Sequence, residues 1–216
     1  MINRDSYNNV VLPKERKTHI QLENGVLKFP VTERSSKNRD SYKVHEWDLK
    51  SQLILTELLK DERFSEFNKM AEIVSDENVA PGYRISATDN FVDKTDLIYL
   101  CVIDGRVVKG GKSKNVISSR TYGAGTEFSW SNTGKASPVN YIFSQIFRQA
   151  VEDGVKIEFY GYSVQPTIIT NMIFGKLVTQ KFSPYESHEI ELNSLLREIK
   201  KGKLIGERDL ESQFKY

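Results

Sequence analysis

Cysteine is nearly absent from this chain of 216 residues, where Cys101 stands alone. A single thiol excludes an intrachain disulfide and a thiolate metal site. Set in an apolar run with no histidine near it in sequence, Cys101 reads as a small core residue rather than a nucleophile. Histidine is scarce too. His19, His45 and His188 are scattered, so they form no metal-ligand pair and leave no Ser/His/Asp order for acyl transfer. Long hydrophobic runs are missing: none approaches the ~18 apolar residues of a membrane span. The first residues, MINRDSYNN, lack the apolar stretch of a signal peptide. A cytoplasmic protein with no membrane association is expected. An excess of one charge is missing as well, with 31 Lys and Arg against 29 Asp and Glu. Whole-molecule charge therefore neither demands nor excludes nucleic acid, and its distribution decides. There is no internal repeat and no low-complexity tract.

What is present is punctuated by turns. Asn24-Gly25 lies between two alternating runs, His19–Val31, a strong hairpin signal. Leucines and aromatics from Trp47 to Ile73 recur at helical spacing, broken near Asp61-Glu62, and predict one or two helices. Residues 74–96, polar and containing Pro81-Gly82, read as a connector. A boundary there divides an N-terminal hairpin and helical arm, 1–93, from a second part, 94–216. In that part Leu97–Val108 predicts a hairpin and Ser113–Arg120 a short helix. Ser137-Pro138 opens a helix to about Asp153, and Val155–Val164 is a strand. Ser183-Pro184-Tyr185-Glu186 has capping-box spacing and opens a helix that Gly202 stops. The tail 203–216 is charged and expected to fray. A small mixed sheet with helices follows, α+β or α/β.

The most informative stretch is LIYLCVIDGRVVKGGKSKNVISSR, Leu97 to Arg120. From Gly105 to Thr126 it holds Arg106, Lys109, Lys112, Lys114 and Arg120 and no carboxylate. A basic patch beside a strand tyrosine suits a phosphodiester, and by itself it also fits an ordinary solvated face. A two-residue turn at Asp104-Gly105 would set Tyr99 opposite Gly110. A three-residue loop with Gly105 left-handed would set it opposite Lys109, on one face. An ammonium beside a phenol favours the phenolate form; the plainer alternative has Tyr99 closing the core and Lys109 reaching solvent. VVKGGKS does not make a P-loop, because its glycines and lysine miss the required spacing. Among acids, Glu189 borders the apolar stripe Leu192, Leu195, Leu196 and Ile199, placed to face a cleft, while Glu186 is taken by the cap and Glu191 projects away. A solvated helix glutamate fits the same pattern.

Taken in order, these residues resemble the GIY-YIG nuclease superfamily. The Gly-Ile-Tyr motif stands as Leu97-Ile98-Tyr99 and the Tyr-Ile-Gly motif as Lys109-Gly110-Gly111, followed by Ser113, Arg120 on a short helix and Glu189 on a later one. Lysine in the second motif makes the chain similar to a subgroup of type II restriction endonucleases. The likeness continues through Arg120-Thr121-Tyr122, Val139-Asn140-Tyr141, Phe174-Gly175-Lys176 and Phe182-Ser183, and spans about residues 95–206. The first motif lacks its glycine, and Lys112 stands where the subgroup can carry histidine.

The resemblance implies a GIY-YIG fold, α+β, with a small mixed or antiparallel sheet flanked by helices and an N-terminal extension. It implies site-specific hydrolysis of double-stranded DNA within a restriction-modification system, with one Mg2+ or Mn2+ per active site. It also implies a homodimer, since both strands of a palindromic site must be cut. By the same likeness Glu189 ligates the metal and Arg120 stabilises the phosphorane. Tyr99 and Lys109 activate water, and Tyr122 and Lys112 hold phosphate oxygens. The arm, the loop Thr121–Lys135, the tail, and Arg34, Lys37 and Arg39 are candidates for DNA contacts. A nicking nuclease of the homing or repair type and a non-catalytic DNA-binding module are the alternatives.

Overall fold

Asn24-Gly25, Asp104-Gly105 and Phe174-Gly175 all have positive φ at both positions, and each closes a two-residue hairpin. Two left-handed residues match the twist of the flanking strands, and glycine takes the second place without strain. These hairpins organise the chain in the computed structural model, which describes residues 21–32, 42–78, 82–120, 143, 146, 147 and 150–207.

Three sheets result, all antiparallel in their pairing. Strands β1 (Gln21–Glu23), β2 (Val26–Thr32) and β3 (Tyr42–Asp48) form the first. The main sheet has six strands in the order β4-β8-β7-β9-β5-β6. Its members are β4 (Leu53–Ile54), β5 (Asn68–Ser75), β6 (Tyr83–Ala87), β7 (Leu97–Ile103), β8 (Arg106–Ser113) and β9 (Ile157–Ser163). The third is a lone hairpin of β10 (Thr167–Ile173) and β11 (Lys176–Phe182). Helix α1 is a single turn, Leu55–Leu58, and α2 runs from Tyr185 to Lys200. The architecture is α+β, as expected. Among the described residues no helix is long and apolar enough to cross a membrane.

β7 reads as an unbroken apolar run because both its faces are buried. Leu97, Tyr99, Cys101 and Ile103 face one core with Met70, Ile85, Phe143, Phe147 and Phe159. Ile98, Leu100 and Val102 face a second core with Phe64, Phe67, Leu192 and Leu196. Cys101 is buried, in keeping with a core role.

Several expectations are corrected here. Trp47–Ile73 is not helical beyond α1 and a 3-10 turn, Glu62–Phe64; it is mostly strand and turn. The spacing that imitated a helix arose because Phe64 and Phe67 serve one core and Met70 and Ile73 the other. The supposed connector contains β6, whose Tyr83 is fully buried against Phe147. Strands from both sides of residue 93 share the main sheet. α2 starts one residue late: its N-cap is Pro184, with no side-chain cap, so the capping box does not form. Lys201 is the left-handed residue at its end, and Gly202 follows by donating its N–H to Arg197 O at 2.9 Å. Residues 203–207 are packed rather than frayed: Leu204 is buried and the Gly206 N–H reaches Val108 O at 2.8 Å.

Candidate active site

The register of the central hairpin decides where the candidate residues point. Next to its two-residue turn, Ile103 pairs with Arg106 and Val102 with Val107. The register then shifts, so that Cys101 pairs with Lys109, Leu100 with Gly110 and Tyr99 with Gly111. Tyr99 is therefore not opposite Lys109, which corrects the sequence expectation. The extra residue is Val108, a β-bulge. Without it Lys109 would oppose Leu100 and face α2; with it Lys109 turns to the Tyr99 side. The shared face was expected, but it comes from a bulge inside β8 rather than at the turn.

Tyr99 and Lys109 line one small cavity with Ile85, Cys101, Phe143, Phe147 and Phe159. Tyr99 is only 3% exposed, and the Phe159 ring meets it edge-on at 5.7 Å. Lys109 is half-buried, with Nζ 5.5 Å from the centre of the Phe143 ring, a cation–π contact. The two glycines that follow are each demanded by a neighbour. A Cβ on Gly111 would come within 2.6 Å of the Tyr99 ring, and one on Gly110 within 2.6 Å of Asn193 Oδ1 on α2. Gly-Gly thus admits a tyrosine on one face of the sheet and a helix on the other.

Lys112 points to the α2 face. Its Nζ lies 3.1 Å from Glu186 Oε1 and 3.2 Å from Glu189 Oε2, with the Tyr185 ring 5.6 Å away. Burial would lower the Lys112 pKa, but the hydrogen bonds it donates to Glu186 and Glu189 more than reverse this and hold it above its usual value. Glu186, which the sequence reading placed in a cap, is therefore part of this cluster. Its spacing from Glu189, three residues along a helix, was the signal that could have revealed it. One turn further on, Asn193 Oδ1 is buried with no hydrogen-bond partner among the described residues.

The six predicted residues thus fall into three groups. Tyr99 and Lys109 lie on one face of the main sheet, and Lys112 and Glu189 lie on the other. Arg120 ends the 3-10 turn Ile117–Arg120 that follows β8; its side chain and the whole of Tyr122 lie outside the described residues. Arg34, Lys37, Arg39 and the whole of Thr121–Lys135 also lie outside them. Both faces share one border, the outer edge of β8. Among the described residues β4 pairs with it at Arg106 and Val107, and the Gly206 N–H reaches Val108 O.

No protein-family model matches the chain, and no curated protein matches it. Among the solved structures similar to it are the following two. One is restriction endonuclease HPY188I in complex with product DNA, 24% identical, with a TM-score of 0.45, covering 74% of this chain and 88% of that one. The other is a mutant of EndoII from bacteriophage T4, 20% identical, with a TM-score of 0.44, covering 66% and 95%.

As for a metal, the described residues contain no group of three or more His, Cys, Asp or Glu side chains. Mg2+ needs no such cage: one or two carboxylates suffice when phosphate and water complete the shell. Glu186 and Glu189 supply hard oxygen donors, and they already converge on one cation, the Lys112 ammonium. The donor set therefore fits a magnesium-like ion. A separate cavity of about 420 Å³ lies between the Glu62–Phe64 turn, β9 and α2. There the Tyr162 hydroxyl and His188 Nδ1 are hydrogen-bonded at 2.8 Å. None of its lining residues is among the six predicted for the site.

Proposed function

We propose that the chain is a metal-dependent endonuclease that hydrolyses phosphodiester bonds of double-stranded DNA, a site-specific enzyme of the type II restriction kind. The observation that carries this reading is the Val108 bulge, which turns Lys109 onto the face of Tyr99 and leaves Lys112 facing Glu189. Bulges recur at sheet edges and beside active sites, where they re-aim a side chain.

On this reading the scissile phosphate sits at the outer edge of β8, between the two faces. Tyr99 takes the proton from the attacking water, with the Lys109 cation promoting that transfer, and the water oxygen bonds to phosphorus as one P–O bond of the diester breaks. Arg120 and Lys112 offset the added negative charge on the phosphorane, and Tyr122 holds a phosphate oxygen. Glu189, with Glu186 beside it, holds the divalent cation. When bound, that ion neutralises charge on the phosphate and the leaving oxygen. Lys112 occupies the place between the two carboxylates, so its ammonium must leave them when the cation enters. Two copies of the chain would cut the two strands of a palindromic site. The N-terminal residues would contact the flanking duplex.

The test is direct. With Mg2+ and supercoiled plasmid, Lys109→Met should slow cleavage by roughly 100-fold or more, the usual scale of general acid–base assistance. An unchanged rate would remove Lys109 from the mechanism.

A further inference from the structure

The segment after α2 crosses the border of the main sheet. Leu204 belongs to the core beneath α2, with Leu192 and Leu196. Ile205, the next residue, packs on the opposite core, with Tyr99 and Phe143. Neighbours in sequence that serve opposite faces of a sheet place its edge between them. The crossing is at β8, where the Gly206 N–H donates to Val108 O at 2.8 Å.

This segment is tied down along its backbone. The Leu204 N–H donates to Glu207 Oε2 at 3.1 Å, the Ile205 N–H to Gln52 Oε1 at 3.0 Å, and the Glu207 N–H to Leu204 O at 3.1 Å. Gln52 is itself buried. The Glu207 side chain is 9% exposed, and Arg197 Nε on α2 donates to its Oε1 at 2.7 Å. A stretch near a chain end is ordered when it is bonded in this way.

We propose that Leu204–Glu207 is a positioning strap, which holds Lys109 toward Tyr99 through two neighbours, the Val108 bulge and the Phe143 ring. Val108 is the residue that the register shift leaves without a partner on β7. A bulged residue loses its place in the ladder, and a buried carbonyl deprived of a bond is costly. The Gly206 N–H supplies that bond. Phe143 is the ring over which Lys109 Nζ lies, at 5.5 Å. A Cβ on Gly206 would stand 2.8 Å from Val108 O and 2.8 Å from the Phe143 ring. Glycine lets the backbone approach both at once. The backbone support and the side-chain support of Lys109 thus meet at Gly206, which acts through them as a positioning residue.

The consequence for cleavage rests on the part given to Lys109 above, whereas the placement of Lys109 does not, and the two are measured apart. In Gly206→Ala the added methyl must push the bulge or the ring aside. Lys109 should then react several-fold faster with an amine-labelling reagent, read by mass spectrometry against the exposed Lys60, with an unchanged circular dichroism spectrum. With Mg2+ and plasmid the same variant should lower kcat by about 10-fold or more, within the scale of acid–base assistance, at an unchanged KM. Added to Lys109→Met, it should lower kcat no further, since changes that act through one group do not add. Glu207→Gln loosens the strap from Arg197 without crowding the ring. It should shift the labelling in the same direction, and it carries the test if Gly206→Ala does not fold. A folded strap variant with unchanged Lys109 labelling would overturn the proposal, and so would full additivity with Lys109→Met. A chain that cuts nothing but shows the labelling change would sink the nuclease reading and leave the strap in place.

Discussion

Gly111 and Tyr99 show how closely single residues constrain each other here. The ring lies where a Gly111 side chain would be, so Gly111→Ala must displace the tyrosine or the strand. Overpacking of this kind costs about 1–3 kcal/mol, which urea unfolding should register, together with a loss of cleavage. On the proposed reading, the metal end of the site depends on Glu189. Glu189→Gln should abolish cleavage and leave DNA affinity within a few-fold; full activity in that variant would remove it as a ligand. Glu158 is a charged residue of another kind, buried between Lys69 at 2.9 Å and Lys156 at 3.0 Å. Burial opposes its ionisation, but the hydrogen bonds from the two lysines prevail and lower its pKa below the ordinary 4.5. A carboxylate depressed by folding stabilises the fold above its unfolded pKa. That contribution is lost as pH falls below about 4.5 and through the folded value. Glu158→Gln should therefore be less stable than the parent at pH 7, by roughly 1–2 kcal/mol. The gap should close on acidification; a gap that persisted at low pH would mean the loss is one of packing.

At the scale of elements, the parts legible in the sequence were those written in local chemistry. Asn24-Gly25 and Asp104-Gly105 announced their hairpins because two consecutive left-handed residues leave few alternatives. Val155–Val164 alternated and proved to be β9, and the apolar stripe of Leu192, Leu196 and Ile199 marked α2. What stayed hidden depends on contacts distant in sequence. The bulge at Val108 is set by pairing across β7, and a valine carries no local mark of it. Glu186 was assigned to a cap that its own sequence favours, yet Lys112, 74 residues away, holds it. Of the candidate site, the residue types and their order were legible, while the division of Tyr99 and Lys109 from Lys112 and Glu189 by the thickness of a sheet was not. The bulge makes its own prediction. Deleting Val108 should return Lys109 to the α2 face and abolish cleavage. Circular dichroism and thermal melting establish that the sheet survives, and a folded deletion variant that still cuts would show that the bulge is irrelevant to the chemistry.

At the scale of the whole molecule, the main sheet of the described residues is buried on both faces, and β4 pairs with β8 at Arg106 and Val107. On the proposed reading, side chains from opposite faces meet one phosphate at the outer edge of β8. The central claim is hydrolysis of duplex DNA at defined sites, and incubation of the purified chain with sequenced supercoiled plasmid and Mg2+ tests it most directly. The account predicts discrete linear fragments with reproducible ends, absent when the metal is chelated and absent with Glu189→Gln. An intact plasmid under all conditions, or a smear of random fragments, would contradict it.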